Sequence, residues 1–259
     1  MDSRIRTVRV TRYVTPLREG GSLPAIVEAD DEGLYVLKFR GAGQGARALI
    51  AELVSGEIAR ALGLTVPEIV LADLDPELAR TEPDPEIHAL IMDSAGLNLA
   101  LDYLPGSVTY DPITQKPDDE LASRIVWFDA YVTNVDRTAR NTNMLMWHKR
   151  VWLIDHGATL YFHHSPRWYD DLARARDPFP LIQNHVLLNR ARALESVDGS
   201  MARALSSEVI AGIVDAIPGS WLTAEPGDDA AVLRAAYARY LLERLTAPRL
   251  FVEEALRAR

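Results

Sequence analysis

The stretch Asn134-Val135-Asp136-Arg137-Thr138-Ala139-Arg140-Asn141-Thr142-Asn143 contains an aspartate followed five residues later by an asparagine. A second stretch, Val151-Trp152-Leu153-Ile154-Asp155-His156-Gly157, places Asp155 directly after an apolar strand. The glycine that follows permits a sharp turn, so that the carboxylate can point into a cleft. The two stretches together predict that Asp136, Asn141 and Asp155 gather around one site.

These side chains suit phosphoryl transfer, in which the protein positions a nucleotide, neutralises charge and orients an attacking hydroxyl. Magnesium takes oxygen ligands, and Asn141 and Asp155 can supply them. The carboxylate of Asp136 is then free to accept the proton of the hydroxyl. The kinase catalytic loop has the same spacing, with a metal-binding aspartate after the following strand. The same spacing also occurs by chance, so the loop alone does not decide the function.

Lys38 lies upstream, inside the apolar run Leu34-Tyr35-Val36-Leu37-Lys38-Phe39. A lysine in such a strand is unfavourable to bury unless it is paired. In kinases a strand lysine holds nucleotide phosphates and pairs with a helix glutamate, and the next predicted helix offers Glu52 and Glu57. The alternative is that Lys38 lies on the solvent face of an edge strand.

A glycine turn, Gly20-Gly21-Ser22, precedes the hairpin that contains Lys38. Backbone N–H groups at Gly21 and Ser22 are candidates for cradling phosphates. The turn matches neither the G-x-G-x-x-G pattern nor a Walker A motif, and an ordinary turn is the alternative.

The remaining pattern predicts an α+β protein with a β-rich part at residues 1–104 and a helical part at residues 105–259, separated at Pro105-Gly106. Alternation and turn residues predict strands at residues 4–13, 25–29, 34–40, 67–72, 87–93 and 97–103, with a surface loop at 73–86. Helical spacing and end signals predict a helix at 46–62, a helix start at 117–119 and three or four helices after 181, with a short hairpin at 144–147 and 151–154.

The composition is that of a soluble globular protein, with 48% hydrophobic and 25% charged residues among 259. The net charge of −9 argues against a broad basic face for nucleic acid. The sequence has no cysteine, which excludes disulfides and thiolate nucleophiles. No run is apolar enough for a signal peptide or a membrane span, so a cytoplasmic location is expected.

The run from Asn134 to Asn141 resembles the catalytic loop of HipA-type kinases, and phosphoinositide lipid kinases have a similar run. Ile154-Asp155-His156-Gly157 resembles the metal-binding segment of both, with histidine where phenylalanine is usual. The stretch from Glu52-Leu53 to Ala61-Leu62-Gly63-Leu64-Thr65-Val66-Pro67 resembles the HipA helix that runs into a Leu-Gly-Leu-x-Val-Pro segment. The resemblance covers roughly residues 20–160.

This resemblance implies a two-lobed kinase fold with a β-rich N-lobe, a mainly helical C-lobe, and ATP between them with Mg²⁺. By the same match Glu52, rather than Glu57, is the partner of Lys38. The implied site residues are Lys38 and Glu52 on the phosphate side, Leu101 and Tyr103 at the adenine, Asp136 as base, and Asn141 and Asp155 on magnesium.

Three functions stay open at this point. The first is a serine/threonine protein kinase of HipA type, and the second is a small-molecule or lipid kinase, because both use such a loop. The third is a nucleotide-binding pseudokinase or regulatory module, against which the four polar groups needed for catalysis are all present. The acceptor is a protein or small-molecule hydroxyl, and a regulatory protein partner is compatible with the resemblance.

Four further residues lie near these motifs. Arg137 and Arg140 flank the proposed base and either contact substrate or phosphate, or form salt bridges within the loop. His163 and His164 lie near His156 in the sequence, and three histidines suggest a transition-metal site. Neighbouring residues on a strand point to opposite faces and cannot easily share one ion, so surface or loop histidines are expected instead.

Overall fold

The computed structural model describes residues 5–17, 23–223 and 229–259, so the predicted turn at Gly20-Gly21-Ser22 lies outside the described residues. Its strands are β1 (Thr7–Pro16), β2 (Ala25–Ala29), β3 (Leu34–Lys38), β4 (Ile69–Leu74), β5 (Gly96–Asp102), β6 (Val108–Thr109), β7 (Met144–Trp147) and β8 (Arg150–Leu153). Its helices are α1 (Ala46–Ala61), α2 (Pro85–Asp93), α3 (Asp119–Tyr131), α4 (Leu194–Ala204), α5 (Ser207–Asp215), α6 (Gly219–Leu222), α7 (Ala230–Arg244) and α8 (Leu250–Ala258). The predicted mixture of strands and helices is confirmed.

The first five strands close into a barrel in the order β1-β2-β3-β5-β4. Closure comes from β1, which pairs antiparallel with β2 and, through Thr7 to Arg9, parallel with β4. Irregularities in β1 near Arg12 and Tyr13 interrupt its ladder with β2, and such bulges bend a strand. Because β3 lies between β2 and β5, it is an interior strand of this barrel and not an edge strand.

Helix α1 is buried on nearly all of its faces, from Leu49 through Ala59. The sequence spacing predicts a single apolar face, but the helix also buries polar Glu52 and Ser55. Gly56 allows the helix to approach β4 closely, since a Cβ there would lie 2.4 Å from Cδ1 of Ile69. An interior helix of this kind can present a carboxylate to a site that is itself shielded from water.

The strand predicted at residues 87–93 is wrong, because this segment is helix α2. The carboxylate of Asp84 accepts the N–H of Glu86 and caps the helix, and a proline occupies its first turn. Ile87 and Ile91, four residues apart, are its buried side chains. The loop predicted at 73–86 also contains a 3₁₀ helix, Pro76–Thr81. The capping signals override the apolar composition that suggested a strand.

The second part of the chain packs around α3, which starts within the predicted residues 117–119 and is capped by Asp118. Trp127 and Tyr131 of α3 stack and pack against Phe251 of α8. The hairpin of β7 and β8 is confirmed. Among the residues described after position 181 there are five α-helices rather than three or four, one of them only four residues long. In the part of the chain that is described, no helix has the length and apolarity to cross a membrane.

One apolar cluster connects both parts of the chain, since it includes Leu99 and Leu101 of β5 together with α1, α3 and the later helices. A smaller cluster fills the barrel around Val27, Leu37 and Val70. The division into lobes at residues 1–104 and 105–259 stays a prediction.

Candidate active site

Lys38 ends strand β3 and lies between two carboxylates. Its Nζ is 2.6 Å from Oε2 of Glu52 and 2.6 Å from Oδ1 of Asp155. The lysine side chain is 13% exposed, whereas that of Asp155 is 52% exposed and that of Glu52 is buried. The alternative of a solvent-facing lysine on an edge strand is therefore wrong. Glu57, the other candidate partner, instead lies 3.1 Å from Arg60.

The charges in this cluster stabilise one another. Burial opposes the charged form of Lys38, but the carboxylates of Glu52 and Asp155 outweigh it and raise the pKa of the lysine above its ordinary value. Burial also opposes ionisation of Glu52, yet Lys38 and His156 lower the pKa of this carboxyl below its usual range. The result is a fixed positive charge with one buried partner and one partner that faces the solvent.

The loop after α3 holds the carboxylate of Asp136 from one side. Nδ2 of Asn141 donates to Oδ2 of Asp136 at 2.7 Å, and Nδ2 of Asn143 donates to the same oxygen at 3.2 Å. The backbone N–H of Asp136 donates to Oδ1 of Asn134 at 3.0 Å. Both amides use Oδ2, so Oδ1 is the oxygen that can accept a further hydrogen. Asn143, the third asparagine of the same stretch, is a site residue that the kinase spacing does not predict.

A buried ionic network fixes the backbone of this loop. Nε of Arg137 lies 2.6 Å from Oδ2 of Asp129, and Nε2 of His185 lies 2.8 Å from the same oxygen. Nδ2 of Asn134 donates to the other oxygen of Asp129 at 2.7 Å, and Arg137 also donates to the carbonyl of Asn143. Arg137 therefore forms a salt bridge within the structure and does not face a substrate. Arg140, in contrast, is exposed and borders the cavity described below.

Asp155 follows β8 in a left-handed backbone conformation, with φ of 57°. The N–H of Ile154 donates to the carbonyl of Asn143 at 3.1 Å, which connects this turn to the Asp136 loop. The sequence pattern predicts that the glycine makes the sharp turn, but the residue with the left-handed backbone is Asp155 and not Gly157. Aspartate tolerates the left-handed region better than most residues do, so the backbone alone can aim its carboxylate.

One cavity of about 1160 Å³ joins the predicted site residues. The members of the predicted set that border it are Lys38, Leu101, Tyr103, Asp136, Asn141 and Asp155. Glu52 lies behind Lys38, and Gly21 and Ser22 lie outside the described residues. The cavity is large enough for a nucleotide, since ligand pockets commonly measure about 300–1,000 Å³.

Two backbone N–H groups of the segment predicted to bind adenine already donate hydrogen bonds within the protein. The N–H of Asp102 donates to the carbonyl of Glu68 at 2.8 Å, and the N–H of Tyr103 donates to the carbonyl of Leu34 at 2.9 Å. These two N–H groups are therefore not available to adenine.

His163 and His164 differ from the expectation. They lie in a 3₁₀ helix, Tyr161–His164, where neighbouring side chains can converge, and their Nε2 atoms are 3.1 Å apart. His163 is fully buried, with Nδ1 2.9 Å from the hydroxyl of Tyr237, and burial lowers the pKa of both histidines. Among the described residues, no three histidine, cysteine, aspartate or glutamate side chains are grouped to hold a metal ion.

Comparisons with known proteins agree with this geometry. The fold is similar to that of the Helicobacter pylori proinflammatory kinase CtkA, with a TM-score of 0.59 and 12% identity over 97% of this chain and 99% of that chain. It is also similar to the Golgi casein kinase, with a TM-score of 0.50 and 12% identity over 98% of this chain and 72% of that chain. At such identities the likeness shows a shared fold and nothing more specific. A comparison with curated proteins gives no match.

The comparison with protein-family models is more specific than the comparison of folds. The model of the HipA-like kinase family matches residues 10–253, which is most of the chain. The match includes the strand lysine, the helix glutamate, the Asp136 loop and the Asp155 turn. The chain belongs to the HipA-like kinase family and is a phosphotransferase.

Proposed function

We propose that this kinase transfers the γ-phosphoryl group of ATP, with Mg²⁺, to a serine or threonine hydroxyl of a protein. The observation that carries the proposal is the meeting of Lys38, Glu52 and Asp155, with both lysine contacts at 2.6 Å, beside the cavity that Asp136 and Asn141 border. Lys38 is 117 residues from Asp155 in the sequence. Such a convergence of opposite charges at a cavity is typical of a functional site.

On the nucleotide side, Lys38 supplies a positive charge to the phosphates, and Glu52 fixes the position of its Nζ. Glu52 can do so because its own carboxylate is buried in α1 and ionised. Val36 and Leu101 border the same cavity and provide apolar contact for the adenine ring.

The residues present fit magnesium. Asn141 uses its Nδ2 atom on Asp136, so its Oδ1 is the atom left for a cation, and the carboxylate of Asp155 is half exposed at the cavity. Mg²⁺ is typically bound by one or two carboxylates together with substrate phosphates. Asn141 and Asp155 would hold the ion, whose charge would offset that of the phosphates.

Asp136 acts on the acceptor. Its Oδ1 accepts the proton of the hydroxyl while the hydroxyl oxygen forms a bond to the γ-phosphorus. The bond from that phosphorus to the β–γ bridging oxygen breaks, and ADP leaves with the electron pair. Asn141 and Asn143, both bonded to Oδ2, keep the carboxylate turned so that Oδ1 faces the hydroxyl.

The exposure of the loop supports a protein acceptor over a small molecule. Ala139, Arg140 and Asn141 are exposed beside Asp136, so the site is open where the acceptor must approach. An enclosed pocket would be expected for a small acceptor, because such ligands are mostly buried when bound. Arg140 is placed to meet an acidic group of the acceptor or the γ-phosphate.

The acceptor class is tested with purified protein, γ-labelled ATP and Mg²⁺ against proteins, lipids and aminoglycosides. We expect label on serine or threonine of protein, identified by phosphoamino acid analysis. Label found only in a lipid or an aminoglycoside would end the protein-kinase proposal. A thermal melt with ATP and Mg²⁺ tests the pseudokinase alternative, because ligand binding to the folded state raises the apparent stability. Binding without any transfer would favour that alternative.

Substitution Asp155→Asn tests the metal assignment. We expect the Mg²⁺ concentration for half-maximal activity to rise by at least about tenfold, because a coordinating carboxylate loses its charge. Asp111→Asn is the control, since Asp111 borders the same cavity but bonds to its own loop through Ile113 and Thr114. An unchanged Mg²⁺ dependence in the Asp155 variant would remove this residue from the metal site.

A further inference from the structure

The turn after Asp155 is joined to α1 by buried polar contacts. Nδ1 of His156 lies 3.3 Å from Oε1 of Glu52, and the hydroxyls of Thr159 and Ser55 lie 2.6 Å apart. Thr159 Oγ1 also lies 2.7 Å from the carbonyl of His156. All four side chains are buried, so water is a poor substitute for these partners.

The carboxylate of Glu52 is held from two directions. Oε2 accepts from Lys38 at 2.6 Å, and Oε1 faces His156 at 3.3 Å. Because the carboxylate of Glu52 is paired with the ammonium of Lys38, it is ionised and can only accept, so Nδ1 of His156 carries the hydrogen. Each carboxylate oxygen has its own partner, so a rotation of the carboxylate away from Lys38 would also break the contact with His156.

The surroundings of the imidazole ring of His156 show which contact a phenylalanine at this position would not make. Nε2 of His156 is buried and has no hydrogen-bond partner among the described residues. The ring packs edge-on against Phe128, with centroids 5.6 Å apart and an interplanar angle of 77°. A phenylalanine would make this packing without burying an unpaired nitrogen. The contact that only the histidine provides is the hydrogen bond to Glu52.

We propose that His156 is a positioning residue that holds Glu52 in place for Lys38, and through them sets the affinity for the ATP phosphates. The inference rests on the proposed role of Lys38 and Glu52 in nucleotide binding. It connects the metal-binding turn directly to the helix glutamate, so the Asp155 turn and α1 are positioned together.

Two substitutions of equal shape separate the hydrogen bond from packing. In His156→Asn the amide nitrogen lies near the position of Nδ1 and can donate to Glu52, whereas His156→Leu has the same branching and no donor. We expect His156→Leu to raise KM for ATP by roughly tenfold, with a smaller change in kcat. His156→Asn should stay within about threefold of the wild type. Equal KM values for the two variants would overturn the inference.

A double-mutant cycle with Glu52→Gln shows whether the effect passes through Glu52. If it does, His156→Leu changes KM by less than about twofold in the Glu52→Gln background, because the partner is already altered. The same increase in both backgrounds would overturn the inference while leaving the role of Glu52 intact. An unchanged KM in Glu52→Gln alone would instead contradict the proposed role of Glu52. His156→Phe takes the place of the leucine variant in the cycle if that variant does not fold.

His163→Leu is the matched control, because His163 is also fully buried and also hydrogen-bonded, in its case to Tyr237. We expect this variant to melt at a lower temperature and to keep the wild-type KM for ATP. An equal rise of KM in His163→Leu would assign the effect to general loss of stability and overturn the inference.

Discussion

Replacing Asp136 by asparagine is expected to lower kcat by about 10²–10⁴-fold while ATP binding stays unchanged. Asparagine keeps the shape of the side chain, and its carbonyl can still accept from Asn141 and Asn143, which lie 2.7 and 3.2 Å from Oδ2. It cannot take up a proton as a carboxylate does. The loss corresponds to roughly 3–5 kcal/mol of the activation barrier.

Initial rates with γ-labelled ATP give kcat, and the ATP-induced rise in melting temperature reports binding. Asp111→Asn, the carboxylate control in the same cavity, should keep both quantities near those of the wild type. Wild-type kcat in the Asp136 variant would remove this residue as the base. Loss of the ATP-induced shift together with kcat would show that Asp136 acts in binding rather than in the proton transfer.

Replacing Asp129 by alanine is expected to lower the free energy of unfolding by roughly 3–5 kcal/mol, because it leaves a buried guanidinium without its partner. Arg137 and Asp129 are both fully buried and 2.6 Å apart, and His185 and Asn134 bond to the same carboxylate. The activity should fall as well, since Arg137 also holds the carbonyl of Asn143 and so the loop around Asp136.

Urea unfolding measures the free energy of unfolding of Asp129→Ala, of Asp170→Ala and of the wild type. The two losses compare a buried ion pair with an exposed one. Asp170 lies 2.6 Å from Arg167, the same distance as in the buried pair, but both of these side chains are exposed. The exposed pair is expected to contribute only about 0–1 kcal/mol. Equal losses in the two variants would contradict the argument that burial decides the effect.

The same pair gives a dependence of stability on pH. Burial opposes ionisation of Asp129, but Arg137 and His185 lower the pKa of this carboxyl below its usual range. An aspartate in the unfolded chain titrates near pH 4, so the stabilisation is fully present above that pH. It is lost as the pH falls toward the folded-state value. Asp129→Ala should therefore flatten the fall in unfolding free energy between about pH 4 and pH 2.

Local sequence signals predicted much of this molecule. Strand β2 has the bounds that alternation and its flanking turns indicate, and Asp118 caps α3 as expected. Apolar composition alone did not predict the structure of residues 87–93, because it is compatible with both strand and helix. The capping contact of Asp84 with Glu86 decides for helix there, and a proline after an aspartate is a recognisable signal for it.

Some contacts of the candidate site are predictable from the sequence and others are not. Asn141 contacts Asp136 within one loop, and five residues of sequence spacing are enough to suggest this. Asn143 was missed because its contact depends on a left-handed backbone at φ 46°, which spacing does not reveal. The sequence does not choose between the two roles of Arg137, because its partner Asp129 belongs to helix α3, whose spacing indicates only an apolar face.

The sequence by itself determined the chemistry of this protein: a strand lysine, a helix glutamate and three oxygen-bearing side chains in kinase order, within a family match over residues 10–253. The tertiary structure alone decided that Lys38 meets Asp155 across 117 residues and that β1 closes a barrel, whereas the contact of Lys38 with Glu52 confirms the partner that the family resemblance implies. Residue periodicity sets which side chains share a face of one element. The contacts between elements follow from how buried surfaces pack against each other, and that packing involves the whole chain at once.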